Sequence, residues 1–243
     1  GVEGYNSPIA ISLGITSLLL FPALLWSEHR SVRPIIDTTL LKTRNYIVAV
    51  ATVFFHYMAY GPIILIAPFF FVDVLGFSEI KLGIYVAAVS LARTFLAPFT
   101  GRMSDQFGGK VFLILGSLIS ALSLFWLSII GFNSPEPVML SSLLIFGVGS
   151  AFFEPVVTNI IMGSVSEDRL GTASASIAMA RQVAFAVGVA MAGAVFTIRQ
   201  RVYMESLPDA ESFLNSFGDV LLSGLAFCLL ASVIALLIDQ RKG

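Results

Sequence analysis

The stretch GRMSDQFGGK, residues 101–110, is a polar segment between two apolar segments that are each long enough to cross a bilayer. It begins at Gly101, carries Asp105 between Arg102 and Lys110, and has Gly108 near its end. A short connection of this kind predicts a tight reversal of the chain and places charges at two helix termini. The two apolar segments are therefore read as consecutive spans, and the other segments are placed relative to them.

The composition of the chain excludes a water-soluble protein. Of 243 residues, 57% are hydrophobic and 12% are charged, and the mean hydropathy is +0.91. A soluble domain of this size needs more polar surface, so we expect an integral membrane protein whose main partner is the lipid bilayer. The net charge of −1 offers no basic excess, so nucleic acid is not an expected partner.

The cysteine and histidine content argues against disulfides and metal sites. Cys228 lies inside an apolar run with no second thiol, and His29 and His56 are too far apart to suggest metal-ligand spacing. The chain opens with Gly-Val-Glu-Gly-Tyr, which is neither a methionine start nor a basic and apolar leader. We therefore expect it to begin inside a longer protein.

Seven apolar stretches are long enough to span a membrane, since a helix needs about 20 residues to cross roughly 30 Å of hydrocarbon. They cover approximately 8–27, 46–72, 80–100, 111–131, 138–163, 171–197 and 218–238. The predicted fold class is therefore all-α, an integral membrane bundle of seven transmembrane helices.

The charges between the spans predict the orientation of the chain. The connection from Glu28 to Arg44 is the richest in basic residues, with Arg30, Arg33 and Lys42. Because cytoplasmic loops carry an excess of Lys and Arg, this connection should face the cytoplasm. The N-terminal stub is then outside and the C-terminus cytoplasmic, in a multi-pass protein of the cell membrane. The longest outer connection should be 199–219, with room for a short surface helix.

Prolines and small residues mark special points inside the spans. Gly61-Pro62 and Pro68 in the second span and Pro155 in the fifth remove backbone donors, so those helices should kink or break. Small residues recur at every fourth position of the sixth span, which predicts close approach of a neighbouring helix. These residues are Ala180, Ala184, Gly188 and Ala192.

Four ionisable residues lie deep in the spans, where their cost makes a functional role the first hypothesis. They are His56, Arg93, Glu154 and Arg181. At 1.5 Å per helical residue, each lies about 10–15 Å from the nearest cytoplasmic helix end, which places all four in one layer near the midplane. Spans 111–131 and 218–238 carry none of the four and can face lipid, while the other four of the last six spans would line a polar interior.

Glu154 is the one carboxylate deep in a span, so it is the candidate for proton carriage or substrate contact. The alternative is a permanent ion pair with Arg93 or Arg181. Two arginines against one glutamate leave a positive surplus that substrate, carbonyls, water or another domain must compensate. Arg181 with Gln182 either hydrogen-bonds substrate or locks the sixth span to its neighbours.

Several neighbouring side chains are candidates for the cavity. His56, beside Tyr57 and Tyr60, either relays protons, contributes to an aromatic wall, or is satisfied by a neighbouring helix. Asn159 is a substrate ligand or an interhelical contact. An apolar part of the cavity could include Phe54, Phe55 and 69–71.

The stretch GRMSDQFGGK resembles a loop motif of the major facilitator superfamily of transporters, Gly-x-x-Ser/Asp-Asp-basic-x-Gly-basic-basic, found between the second and third helices of each half. The residues that carry the resemblance are Gly101, Arg102, Asp105, Gly108 and Lys110. Gln106 and Gly109 depart from the motif, since each stands where a basic residue is preferred. The resemblance implies a cytoplasmic position for this segment.

Two further segments resemble the fourteen-span drug:proton antiporter branch of that family. The first is VLGFS at 74–78 followed by Gly83, and the second is RLGTAS at 169–174 followed by Arg181-Gln182 and Gly188. Departures are Ala88, near a frequent proline, and residues 183–184, where glycines are common.

The resemblance implies a division of the chain and a set of partners. Residues 1–44 would be a linker transmembrane helix with its cytoplasmic connection, and 45–243 the C-terminal six-helix half, made of two inverted three-helix repeats. The implied partners are a missing N-terminal half, a small-molecule substrate and protons. The proton gradient would be the energy source, without a cofactor.

Proton-coupled efflux of amphipathic drugs by alternating access is the first functional hypothesis. A uniporter or symporter of a small anionic metabolite, using Arg93 and Arg181, is the alternative. A membrane enzyme is disfavoured because the sequence has no His-Glu-x-x-His, no Gly-x-Ser-x-Gly and no paired intramembrane aspartates. A non-transporting scaffold or receptor is the remaining possibility.

Overall fold

A computed structural model describes residues 40–132 and 134–239, together with the single positions 12, 16, 19, 20 and 22. Within these residues, six helical segments are long and apolar enough to cross a membrane. They correspond to the second to seventh predicted spans. The first predicted span (8–27), most of its basic connection to Arg44, and the C-terminal Arg241 and Lys242 lie outside the described residues, apart from those single positions.

The helices are numbered here in chain order. They are α1 (Arg44–Met58), α2 (Tyr60–Leu65), α3 (Ala67–Phe69), α4 (Glu79–Phe107), α5 (Gly109–Ser128), α6 (Glu136–Gly163), α7 (Leu170–Met204) and α8 (Asp209–Ala235). A π-helical turn, Phe70–Val74, continues α3, and short 3₁₀ turns cover Leu40–Lys42 and Glu167–Arg169. The described part of the chain is therefore helical throughout its spans.

The second span is interrupted, as its prolines predict. The helix ends at Met58, begins again at Tyr60, and is interrupted once more at Ile66 before the π-helical turn. Pro62 and Pro68 lack the N–H group that a continuous helix requires, so each removes one intrahelical hydrogen bond. The span therefore consists of one regular helix followed by three short segments.

The sequence predicted a kink or a break at Pro155, and of these two the break does not occur in the fifth span. Helix α6 runs through Pro155 from Glu136 to Gly163. The carbonyl that Pro155 cannot bond is that of Ala151, four residues earlier, and it accepts a buried hydrogen bond of 2.6 Å from the hydroxyl of Thr100 on α4. A side chain from a neighbouring helix thus replaces the missing backbone donor.

The predicted loop at 101–110 is largely helical, which corrects the sequence-based expectation. Helix α4 continues to Phe107, and α5 begins at Gly109. The reversal is made at Gly108, whose φ of 93° is a conformation that favours glycine. Arg102 and Asp105 therefore lie exposed on the last turns of α4.

The predicted long outer connection, 199–219, is also mostly helical. Helix α7 extends to Met204 and α8 begins at Asp209, so residues 205–208 alone form the connection. The extension of α7 is joined to α8 by hydrogen bonds between Arg199, Tyr203 and Asp219. These bonds stabilise helical turns that the apolar pattern did not include.

The six spans pack as two related triplets. The first comprises the broken second span, α4 and α5, and the second comprises α6, α7 and α8. In each triplet the second helix packs on the first span of the other triplet: α4 on α6, and α7 on α1 and α2. The third helices, α5 and α8, pack against each other. Because each triplet crosses the membrane three times, the second starts on the opposite side, so the repeats are inverted.

The small-residue face of α7 is buried, as predicted. Ala180, Ala184, Gly188 and Ala192 all lie in the interior. A Cβ atom placed on Gly61 or Gly188 would overlap the backbone of the other helix, so α2 and the end of α1 contact α7 backbone to backbone. This contact fixes where α1 and α7 present their polar side chains.

The exposure of the helices differs from the sequence-based expectation in one respect. Helices α5 and α8 each leave an apolar face exposed, in keeping with lipid contact. The most exposed spans, however, are α4 and the segment containing α7. In the most apolar stretch of each, 6% and 17% of the residues, respectively, are buried. Large apolar surfaces on these two helices are thus uncovered by the rest of the described chain.

Candidate functional site

A cluster of polar side chains lies at the centre of the bundle, where four helical segments meet α6. We call it the central cluster. Its members are Tyr57, Tyr60, Arg93, Ser150, Glu154, Thr158 and Arg181. They come from α1, α2, α4, α6 and α7, and the α6 members are four residues apart, on one helix face.

Glu154 lies at the centre of this cluster, and its Oε1 atom has three hydrogen-bond partners. The hydroxyl of Tyr57, the hydroxyl of Tyr60 and Nη1 of Arg93 each lie 3.0 Å from Oε1. The three donors come from three different helices. Such an arrangement makes the contacts of Glu154 depend on how these helices pack against α6.

The hydroxyl of Ser150 extends the hydrogen-bond network of Glu154 along α6. The Tyr60 hydroxyl lies 2.7 Å from Oγ of Ser150. A phenol has one hydrogen to donate, so when Tyr60 donates to Glu154 its oxygen is free to accept from Ser150. Ser150 also contacts the carbonyl of Phe146 at 3.0 Å. The hydroxyl hydrogens of Ser150 and Tyr60 can therefore reorient when Glu154 changes its charge.

Arg181 lies on the other side of Tyr57. Its Nη2 atom donates to Oγ1 of Thr158 at 3.1 Å, and its guanidinium lies 5.2 Å from the centre of the Tyr57 ring. Its Nε atom is buried and has no partner among the described residues. Among those residues, no carboxylate forms an ion pair with it, so Arg181 supplies an uncompensated positive charge.

The pairing of the charges is specific. Arg93 forms the ion pair with Glu154, while Arg181 contacts neutral groups. The cluster therefore contains two guanidinium groups and one carboxylate. Arg93 is 37% and Glu154 17% exposed, so the pair is accessible from one side.

His56 is next to the central cluster but takes no part in its hydrogen bonds. Its ring stacks on Phe153 with centroids 3.8 Å apart, and it is fully buried. Both ring nitrogens lack a partner among the described residues. The rings of Tyr57 and Tyr60 lie edge-on to it at 6.3 and 6.0 Å, so His56 belongs to the aromatic packing behind Glu154.

Other predicted site residues lie outside the cluster. Gln182 and Asn159 are exposed on their helices, and Phe55 is partly buried with its ring against Phe54. Of the aromatic run at 69–71, two members belong to the core and Phe69 is exposed. The structure does not bring these residues to Glu154.

The residues of the predicted loop motif lie at one end of α4 and the start of α5, away from the cluster. Arg102 and Asp105 are exposed, and Gly101, Gly108 and Lys110 are partly buried. Gly101 lies close to Pro155, to which a Cβ on it would be 4.0 Å. The motif thus marks the α4–α5 reversal beside α6.

A cleft opens beside the central cluster between α2, α3, α4 and α6. Its volume is about 320 Å³, and its walls include Tyr60, Phe71, Val86 and Phe146. Arg93 lines it on the side of Glu154. Apart from Arg93, Tyr60 and Ser90 its lining residues are apolar, and the acidic member of the ion pair does not line it.

Sequence reasoning missed several polar residues of the structure. Ser150 and Thr158 lie four residues before and after Glu154, so helical spacing could have identified them. Arg199, Tyr203 and Asp219 form a second network, which we call the end network, between α7 and α8. The spacing of Arg199 and Tyr203 was a local signal, but the partner on α8 required the fold.

Comparison with known proteins gives a family match. Residues 4–199 match the model of the Major Facilitator Superfamily. The riboflavin transporter RibZ of Clostridioides difficile is 27% identical over 184 residues, which cover 76% of this chain and 40% of that protein.

Two resistance proteins are also similar. The multidrug resistance protein Stp of Mycobacterium tuberculosis is 26% identical over 192 residues, covering 79% of this chain and 36% of that protein. The lincomycin resistance protein LmrB of Listeria innocua is 24% identical over 244 residues, covering 98% and 51%. This chain therefore spans about half or less of the length of these relatives.

Proposed function

Because this chain belongs to the Major Facilitator Superfamily, we propose that it forms part of a proton-coupled transporter that exports amphipathic small molecules by alternating access. The names of Stp and LmrB, both resistance proteins, support export as the direction. We further propose that 45–243 form the C-terminal half of the transporter and 1–44 a linker helix and connection. The C-terminus would be cytoplasmic and the N-terminal stub outside.

The proposal assigns the proton to Glu154. The observation that carries it is the convergence of Tyr57, Tyr60 and Arg93, from three helices, on one carboxylate oxygen. In the ionised state these donors hold the helices together around Glu154. On protonation the carboxyl becomes neutral, the attraction to Arg93 is lost, and α4 is less firmly held to α6. Proton binding would thereby bias the equilibrium between states.

Binding of an amphipathic cation would act on the same group. A cation near Glu154 competes with both the proton and Arg93 for the carboxylate. Substrate and proton would then favour different states, as exchange requires. The remaining positive charge on Arg181 would be compensated by a carboxylate of the N-terminal half.

The test compares two carboxylates in the transporter that contains this chain. Proteoliposomes with an imposed proton gradient would report transport of rhodamine 6G, a fluorescent amphipathic cation, for wild type, Glu154→Gln and Asp219→Asn. We expect Glu154→Gln to lower the proton-driven rate by roughly tenfold or more. Asp219→Asn changes a carboxylate of the end network and should retain coupling.

Insertion and folding of each variant are checked by size-exclusion chromatography and by circular dichroism. A folded Glu154→Gln protein with an unchanged proton-driven rate would contradict the assignment. It would make the Arg93–Glu154 pair structural and move the proton site to another part of the transporter.

A second candidate function has its own observation. The buried Nε of Arg181 has no acceptor among the described residues, which favours an anionic group close to it. A carrier of small organic anions would provide that group. Transport of a radiolabelled organic acid, lost in Arg181→Gln and independent of Glu154→Gln, would support this function instead.

A further inference from the structure

The cleft beside the central cluster is mostly apolar, and the acidic side chain of Glu154 does not line it. Its walls come from α2, α3, α4 and α6, with Ile64 on α2 and Val86 on α4. Its volume of about 320 Å³ suits a molecule of one or two rings, since ligand pockets begin at roughly 300 Å³. The partly exposed ring of Tyr60 and the exposed side chains of Ile64 and Val86 offer surfaces for such rings.

The charges around the cleft favour a negative ligand. Arg93 is the one charged residue among its described lining residues, and 37% of its side chain is exposed. The Nη1 atom of Arg93 contacts Glu154, so the guanidinium lies between that carboxylate and the cleft. Arg181 adds a second positive charge to the same cluster. A cation entering the cleft would meet Arg93 first.

We infer that this cleft is a subsite for a one- or two-ring organic anion, which places its rings against the apolar walls and its charged group on Arg93. The anion competes with Glu154 for one guanidinium. Arginine suits this role because its planar fork binds sulfonate or carboxylate oxygens in pairs.

The inference deepens the proposed function and rests on it for its consequence in transport. In the described structure, the charged or titratable side chains in or next to the central cluster, besides Glu154, are Tyr57, Tyr60, His56, Arg93 and Arg181. An anion on Arg93 withdraws the cation that balances ionised Glu154, so anion binding favours the protonated carboxyl. A cation has the opposite linkage. The bound anion holds the proton that exchange must release, so it should inhibit proton-driven export.

The binding test uses two probes with the same ring and opposite fixed charges: naphthalene-2-sulfonate and the 2-naphthyltrimethylammonium ion. Equilibrium dialysis against nanodiscs that contain the full-length transporter gives each Kd, with empty nanodiscs subtracted. We expect the sulfonate to bind the wild type more tightly than the ammonium ion. Glu154→Gln removes the competing carboxylate and should tighten sulfonate binding roughly fivefold or more.

Two valines provide a matched pair of controls. Val86 lines the cleft and is 52% exposed, while Val202 on α7 is 51% exposed and does not line it. Val86→Trp should weaken sulfonate binding roughly tenfold by filling the cleft, and Val202→Trp should leave it unchanged. Ile64→Trp fills the cleft from α2 and replaces Val86→Trp if that variant does not fold.

The outcomes separate the subsite from the proposed function. Equal affinity for both probes, or equal affinity in the Val86 and Val202 variants, would mean partition into lipid and would overturn the subsite. Sulfonate affinity that Glu154→Gln does not change would overturn the competition. If Glu154→Gln left proton-driven export intact, the proposed function would fail while the dialysis result would stand.

Discussion

The central cluster and the end network both join arginine and tyrosine to a carboxylate, and they differ in how they are closed. In the end network, Arg199 donates to Asp219 and to Tyr203, and Tyr203 donates to Asp219. The three side chains satisfy one another within two adjacent helices. Such a closed triangle joins α7 to α8 and leaves no charge to be compensated.

The central cluster is open by comparison. Its donors come from three helices and converge on one oxygen of Glu154, and its second guanidinium, on Arg181, has no carboxylate among the described residues. It also adjoins a cleft through Arg93. The comparison indicates that an arginine, a carboxylate and a tyrosine form a structural lock when balanced locally. In the proposed function, the same side chains provide a responsive site when their partners lie on elements that can move apart.

The largest expected effect comes from separating the helices that hold the central cluster while leaving the end network in place. A Cβ on Gly188 would lie 2.9 Å from Cα of Met58 and closer still to its carbonyl oxygen, whereas one on Gly171 meets no atom within 4 Å. We expect Gly188→Ala to lower the free energy of unfolding by about 3 kcal/mol through overpacking.

Gly171→Ala is the matched control on the same helix. It gains helix propensity without a clash, so its stability should be equal to that of the wild type or higher. Both variants would be unfolded by SDS titration in mixed micelles. A Gly188→Ala protein with an unchanged free energy of unfolding would show that α1 and α7 are free to shift. It would also show that the central cluster does not depend on their contact.

The next effect distinguishes the two networks by what remains when one arginine is removed from each. Arg199→Met leaves Asp219 with Tyr203 as its remaining partner and should lower the free energy of unfolding in the same titration. Arg181→Met removes the contacts to Thr158 and Tyr57, which lowers stability. It also removes a cation that has no carboxylate partner in the described structure, and this gain offsets the loss. We expect its stability to change by less than about 0.5 kcal/mol. Equal losses would mean that Arg181 is fully compensated.

The last six predicted spans and their helical type follow from the sequence, because apolar length is dictated by the bilayer. The interruptions near Pro62 and Pro68 follow as well, since a missing N–H group acts within its own helix. The unbroken course of α6 through Pro155 depends on Thr100, 51 residues away in the chain, whose hydroxyl bonds the freed carbonyl. A tertiary contact of this kind leaves no local signal.

Helix lengths were underestimated for a related reason. The apolar pattern ends where the hydrocarbon would end, but α4 continues through Arg102 and Asp105, and α7 and α8 extend along the end network. Polar helical turns outside the apolar stretch are fixed by capping and by side-chain pairs, such as Arg199 with Asp219. Hydropathy does not report such contacts.

The rarity of ionisable groups in the spans identified the members of the site but not their pairing. Sequence reasoning left Glu154 free to pair with either arginine, and the packing of α4 on α6 places Arg93 next to it. His56 shares the layer, yet its ring packs on Phe153 instead of bonding the cluster. Which ring or guanidinium reaches Glu154 is decided by helix rotation, which spacing alone does not determine.

A smaller effect compares the two paired arginines in transport. Arg93→Gln removes the charge that balances ionised Glu154, so release of the proton should be disfavoured and proton-driven export of rhodamine 6G should fall roughly tenfold, equivalent to about 1.4 kcal/mol. Arg199→Gln should retain export, since the end network is not part of the exchange. Equal rates in the two folded variants would remove the functional distinction between the networks.

The smallest effect compares the two sets of tyrosine hydroxyls. The hydroxyl of Tyr203 both accepts from Arg199 and donates to Asp219, so Tyr203→Phe opens the triangle and should cost about 1 kcal/mol in SDS titration. Tyr57→Phe leaves Glu154 with Tyr60 and Arg93 as donors, so its cost should be smaller, while its export rate should change more. A larger stability loss for Tyr57→Phe would instead make the central cluster the principal lock of the bundle. Its open arrangement would then serve packing, because a site that must release its contacts in each cycle is not expected to hold the fold together.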